Sequence, residues 1–187
     1  MKQAIILLSQ ILKLESKMYP EITTLAKNIS KLLNKNSQTI SIAESSTGGL
    51  ISAHLLGVPG ASSYFIGGSI IYTRIAQKAF LNINDLQMKD LRASTEKYAL
   101  LNAKQVRKLT GSTWGISETG ATGPTGNRYG DKPGHSCIAV AGPVEKTITV
   151  ETKDNDRTNN MREFSVATLK LLIESIETYN EKSLVNN

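Results

Sequence analysis

The chain has 187 residues, a net charge of +6 and a single cysteine, Cys137. That length suits one domain, 1–187, with a real hydrophobic core. The lone cysteine excludes an internal disulfide and a cysteine-based zinc site. The two histidines, His54 and His135, are far apart and form no HExxH-like pair, so no metal is expected. Basic residues are scattered rather than clustered among aromatics, which argues against nucleic acid as a partner. Their excess favours a phosphate-bearing small molecule. No apolar run is long enough for a transmembrane helix, so no membrane contact is expected. The start, Met1 to Leu8, is interrupted by Ser9 and Gln10. It lacks a clear cleavage site and reads as an amphipathic helix rather than a signal peptide, giving a cytoplasmic expectation.

In chain order, residues 1–18 read as an N-terminal helical extension. Ile22, Leu25, Ile29, Leu32 and Leu33 recur at helical spacing and predict a helix ending in the turn Asn34 to Ser37. Thr39 to Ala43 alternates like a strand. It runs into Ala43-Glu44-Ser45-Ser46-Thr47-Gly48-Gly49 and then a helix to about Leu56. Tyr64 to Thr73 reads as a strand with a bulge or close backbone approach at Gly67-Gly68. Helices follow over 75–81, over 85–91 and from an N-cap at Ser94 to about Leu109.

Thr113 to Glu118 reads as a strand ending in a second hydroxyl-and-glycine loop, Thr119 to Gly126. Residues 127–134 read as a mobile polar stretch. Ser136 to Ala141 and Thr147 to Thr152 predict an antiparallel hairpin. Val166, Leu169, Leu172, Ile173 and Ile176 mark the apolar face of a long closing helix, with 180–187 as a frayed tail. The order of elements predicts an α/β fold, a three-layer α/β/α sandwich with a mixed sheet.

Both hydroxyl-and-glycine loops follow strands, at the sheet edge where open α/β folds bind ligands. Neither matches the phosphate-loop or dinucleotide fingerprints, and no GxSxG elbow occurs. The glycines allow close backbone approach, and the N–H groups at the following helix start favour an anion. Ser45 or Thr47 could equally be a helix cap. A serine nucleophile needs a base. The residues offer Tyr72 at the next strand end, or Lys78 about two helical turns on. Ser94-Thr95-Glu96-Lys97 matches SxxK but lacks its companion motifs and reads as a helix cap.

Ala43-Glu44-Ser45-Ser46-Thr47-Gly48-Gly49 closely resembles the AES-C-TGG signature of the CinA C-terminal domain family. In order, Gly67 to Thr73, Ser94, Thr119 to Pro124, Lys132-Pro133-Gly134, and Asp156-Arg157 with Arg162 resemble further family motifs, spanning about residues 22–176. The resemblance implies a dimerising α/β/α domain that needs no cofactor. It also implies hydrolysis of nicotinamide mononucleotide to nicotinic acid mononucleotide and ammonia. By position, Ser45 would be the nucleophile, activated by Tyr72 and a lysine five residues later. Ser46, Thr47, Gly48, Gly49, Thr119, Gly120, Gly123 and Arg162 would bind substrate, with N–H groups around Thr47 to Gly49 holding the oxyanion.

The chain departs from Tyr-Ser-Asn-x-x-Lys. Arg74 replaces the asparagine, and Gln77 stands at the lysine position with Lys78 beside it. Lys78 is the substitute base under the enzyme reading. The alternative is a catalytically weakened or inactive homologue that binds a nucleotide without turnover.

Overall fold

The computed structural model describes residues 20–185, so the expected helix over 1–18 lies outside the described residues. The elements are α1 (Pro20–Lys35), β1 (Ile40–Glu44), α2 (Leu50–Leu56), a 3-10 turn (Ala61–Ser63), β2 (Phe65–Ile70), α3 (Arg74–Leu81), α4 (Glu96–Thr110), β3 (Trp114–Ala121), β4 (His135–Ala141), β5 (Lys146–Glu151) and α5 (Arg157–Val185). Five strands form one mixed sheet in the order β2-β1-β3-β4-β5. β1 runs parallel to β2 and β3, whereas β4 is antiparallel to both β3 and β5. Helices cover both faces, so the three-layer α/β/α architecture with a mixed sheet is present.

The two faces differ in side-chain size. Ile40, Ile42, Trp114, Ile116, Ile138 and Val140 pack against α1, α2 and α5 in the larger core. Alternate residues point the other way, and there the sheet offers Ala43, Cys137, Ala139 and Ala141 to α3 and α4. Small residues let α4 lie close. A Cβ on Gly115 would come within 2.1 Å of the Ala103 carbonyl oxygen and 2.6 Å of Arg107 Cβ.

Several expected elements change. Asp85 to Leu91 is a run of turns, closed by i→i−3 bonds from Lys89 to Leu86 and Leu91 to Met88, rather than a helix. Thr95, not Ser94, caps α4, its hydroxyl accepting from Tyr98 N–H at 3.3 Å. β3 runs on to Ala121, so Thr119 and Gly120 belong to the strand end rather than a loop. The register slip in β2 falls at Ile66, before the glycines. The close approach is real at Gly68, where a Cβ would sit 2.3 Å from Ser52 Oγ. α5 continues past Tyr179 to Val185 in place of a frayed tail from residue 180.

The parallel arrangement of β1, β2 and β3 brings Glu44, Ile70 and Ala121 to the same sheet edge. After β1 the chain turns to one face as α2, and after β2 to the other as α3. A crevice opens at such a divergence. Gly115→Ala should destabilise the protein by about 1–3 kcal/mol, read as a lowered denaturant midpoint; an unchanged midpoint would contradict the close seating of α4 on β3.

Candidate active site

The loop after β1 is held from beneath by two buried glutamates. Glu44 ends β1, on the Ile40 and Ile42 side of the sheet, and is 1% exposed. Its carboxylate accepts from the N–H groups of Gly49 (3.0 Å), Ile51 (3.1 Å) and Ser52 (2.8 Å), and from the hydroxyls of Thr47 (2.8 Å) and Ser52 (2.5 Å). The first turn of α2 therefore already has its anion, supplied by the chain itself. This is the cap; neither Ser45 nor Thr47 fills that role.

Glu118, on β3, takes the other side of the loop. It accepts from Ser45 N–H (3.3 Å), Thr47 N–H (2.9 Å), Thr47 Oγ1 (3.0 Å), Ser136 Oγ (3.3 Å) and the Ser46 hydroxyl. The Thr47 hydroxyl has one proton and two carboxylate neighbours. Burial pushes the Glu118 carboxyl above its usual range, and the nearby Glu44 charge adds to this against the hydrogen bonds from Ser46 and Thr47.

Above this scaffold lies a cavity of about 830 Å³, within the range of small-molecule sites. Ser45 lies at its floor, half-buried, and its hydroxyl makes no hydrogen bond to another group among the described residues. Tyr72, Thr119 and Gly120 line the same space. So do Arg74, Arg92 and Arg128, whereas no aspartate or glutamate does.

Two more segments shape the cavity. Ser94 has φ +56°, a left-handed conformation rare for serine. It is held from three sides: its N–H donates to Thr119 Oγ1 (3.3 Å), its Oγ accepts from Asn127 Nδ2 (3.1 Å), and its carbonyl meets His135 Nε2 (3.1 Å). Residues 127–131, expected as a mobile stretch, form a hydrogen-bonded turn. Asn127 Oδ1 accepts from the N–H groups of Tyr129 (2.9 Å) and Asp131 (3.1 Å). Arg92 then grips Asp131 with both terminal nitrogens, at 2.7 and 3.0 Å, and holds its carboxyl below the usual range.

A family model for the CinA C-terminal domain matches residues 22–176. The chain belongs to the CinA C-terminal domain family. A CinA-like protein of Desulforapulum autotrophicum is 37% identical over 150 residues, covering 80% of this chain and 36% of that protein. One from Chlorobium limicola is 36% identical over 154 residues, covering 79% of this chain and 36% of that one. The chain thus spans little more than a third of these relatives. Among solved structures, competence/damage inducible protein CihA from Agrobacterium tumefaciens has a TM-score of 0.77 at 24% identity, covering 84% of this chain and 96% of that one. A CinA superfamily protein of Klebsiella pneumoniae 700603 has a TM-score of 0.79 at 18% identity, covering 84% and 98%. These two likenesses establish the shared fold.

Within this CinA C-terminal domain, the residues expected at the site separate into two groups. Ser45, Tyr72, Thr119 and Gly120 share the cavity. Ser46 and Thr47 are buried beneath it, bound to the glutamates. The N–H groups of Thr47, Gly48 and Gly49 bond to Glu118, the Ser45 carbonyl and Glu44, so they are not free to hold an oxyanion as expected. Gly123 packs under Asn155 and its carbonyl takes a bond from Arg157. Arg162 bonds to Asn159 and Glu163 on α5, away from the cavity lining.

Lys78 is corrected as a base. Its side chain is 62% exposed and lies 3.7 Å from Asp85, outside the cavity lining. One residue of helix rotates it about 100° from Gln77. Gln77 itself is fully buried, its amide nitrogen donating to Asn102 Oδ1 at 2.5 Å and its oxygen accepting from Arg74. Sequence reasoning passed over Arg92, Arg128, Tyr129 and the two glutamates. The signal for the glutamates was available: each closes an apolar strand segment just before a hydroxyl-and-glycine run. Among the described residues no group of three His, Cys, Asp or Glu side chains is placed to hold a metal.

The raised Glu118 pKa fixes a sign. The folded state keeps a proton that the unfolded chain loses above the ordinary value of 4.5, so this group's contribution to stability falls as pH rises above that value toward the folded pKa. Within that window, wild-type stability should fall relative to Glu118→Gln by about 1.4 kcal/mol per pH unit. Denaturant melts of both proteins at pH values stepped upward from 4.5 measure this, and a difference independent of pH would refute it.

Proposed function

We propose that this domain is an amidohydrolase that deamidates nicotinamide mononucleotide to nicotinic acid mononucleotide and ammonia, with Ser45 as nucleophile. The observation that carries the reading is the Ser45 hydroxyl, free of protein partners among the described residues, on the floor of a cavity lined by three arginines and no carboxylate. Such a lining suits a phosphate-bearing substrate, and a cavity of about 830 Å³ has room for one.

In this mechanism Ser45 Oγ attacks the carboxamide carbon. Tyr72, acting as its phenolate, takes the hydroxyl proton as the carbon–oxygen bond forms, and the resulting phenol gives that proton to the nitrogen as ammonia leaves. Water then cleaves the acyl-serine ester, releasing the carboxylate. The Ser46 N–H, which has no hydrogen-bond partner among the described residues, is the loop donor left to the oxyanion. A cytoplasmic setting is part of this proposal.

A second reading keeps binding and drops turnover. It is favoured by Gln77, whose amide is locked to Asn102 and Arg74 and cannot accept a proton as a neutral amine can. A dimer also belongs to the proposal. Exposed Ile66 and Ile70 on edge strand β2, with Ile75 and Phe80 on α3, support pairing with a second copy. Sedimentation of a 20.3 kDa species at micromolar concentration would remove the dimer.

Purified protein incubated with nicotinamide mononucleotide should release ammonia, and Ser45→Ala should lower the rate by at least about a hundredfold. Lys78→Ala should leave the rate unchanged. Ammonia release no faster than in Ser45→Ala would end the enzyme reading for this substrate.

A further inference from the structure

Three guanidinium groups line the cavity, and their commitments differ. Arg74 bonds to Gln77, to the Asn84 carbonyl at 3.2 Å and to Asp85 at 3.1 Å. Arg92 holds Asp131 in a two-pronged contact and also reaches the Ala93 carbonyl at 3.2 Å. Both are ion-paired and act as structure. Arg128 bonds only to the Tyr129 hydroxyl, at 2.7 Å, among the described residues. A guanidinium has five N–H donors in a planar fork, so most of Arg128's donors are without a hydrogen-bond partner among the described residues, and Arg128 lines the cavity.

The turn that carries Arg128 is tied down on both sides. Asn127 braces it from within and bonds to Ser94, while Asp131 is gripped by Arg92. Tyr129 adds a rigid support: the Arg128 and Arg92 guanidinium carbons lie 5.0 and 5.5 Å from its ring centroid, within cation–π range. Arg128 is therefore a cation on a short, braced turn rather than a long side chain on a free loop. Exposed Arg128 and half-buried Ser45 line the same cavity.

We infer that Arg128 is the specificity-determining residue for the phosphate of a nucleoside monophosphate, gripping it at the rim so that the base reaches Ser45. This rests on the proposed function for its choice of ligand, but not on turnover. A planar fork suits two oxygens of one phosphate, and charge-assisted pairs of this kind are the strong ones. Arg162, expected from the family resemblance to bind substrate, is replaced in that role.

Binding separates this inference from turnover. Calorimetric titrations in a Ser45→Ala background would use nicotinamide mononucleotide and its phosphate-free form, nicotinamide riboside. The mononucleotide should bind roughly tenfold or more tightly than the riboside. Adding Arg128→Gln should erase most of that preference by weakening the mononucleotide alone. Adding Lys97→Gln, which removes an equal charge from an exposed position on α4, should leave the preference intact. Equal weakening of both ligands by Arg128→Gln, no effect on the mononucleotide, or no measurable mononucleotide binding would each overturn the inference. Absence of ammonia release with the preference intact would overturn only the enzyme reading.

Discussion

Two buried carboxylates hold the serine loop, and the rest of the site depends on that contact. Glu44 and Glu118 come from neighbouring parallel strands and approach one another across the Thr47 hydroxyl, which lies within 3.0 Å of both. Burying one carboxylate unpaired is costly, and burying two side by side is more so. The chain meets that cost with donors from its own backbone: three from the first turn of α2 and two from the loop. The consequence is a loop whose polar groups face inward almost without exception. The Ser45 hydroxyl is what remains pointing outward, which is how a seven-residue motif of hydroxyls and glycines presents one reactive oxygen.

The same arrangement sorts charge across the site. Two glutamates lie below the loop, sealed from solvent, while among the described residues the only charged side chains lining the cavity above are arginines. A ligand phosphate entering the cavity meets no opposing carboxylate on its walls. The backbone N–H groups of the α2 terminus, a ready anion site in isolation, have their anion in Glu44. The cationic side chains that line the cavity sit at the start of α3, in the turns after it and on the 127–131 turn.

Periodicity and strand-end chemistry made the layers and the sheet edge legible in the sequence, and the structure puts Ser45 and Tyr72 in the lining of one cavity. Ile22 to Leu33 at helical spacing and the alternation of β1 each point to one face, and the core uses those faces. What the sequence could not show was where short-range signals compete with tertiary contacts. Ser94 reads as a cap, yet bonds to Thr119, Asn127 and His135 hold it in a left-handed conformation and pass the cap to Thr95. Residues 127–134 read as loose because their order comes from Arg92, far away in sequence. Glu118 carries a strand-end signal in the sequence, but its partners lie on other elements and are not legible there.

Gln77 and Arg74 show how a site can keep its field while changing its proton chemistry. A lysine at position 77 would supply both a positive charge and, when neutral, a base. Here those two properties come apart. The buried amide of Gln77 orients Arg74, and Arg74 carries the charge to the cavity wall. A guanidinium does not release its proton in a protein, so Arg74, itself paired with Asp85, cannot accept a proton from Ser45. Under the proposed function, proton transfer falls to Tyr72, which is 60% exposed and lines the cavity. In that reading, binding would depend on cavity-lining side chains and turnover on the tyrosine, and because these are different residues the two properties can separate.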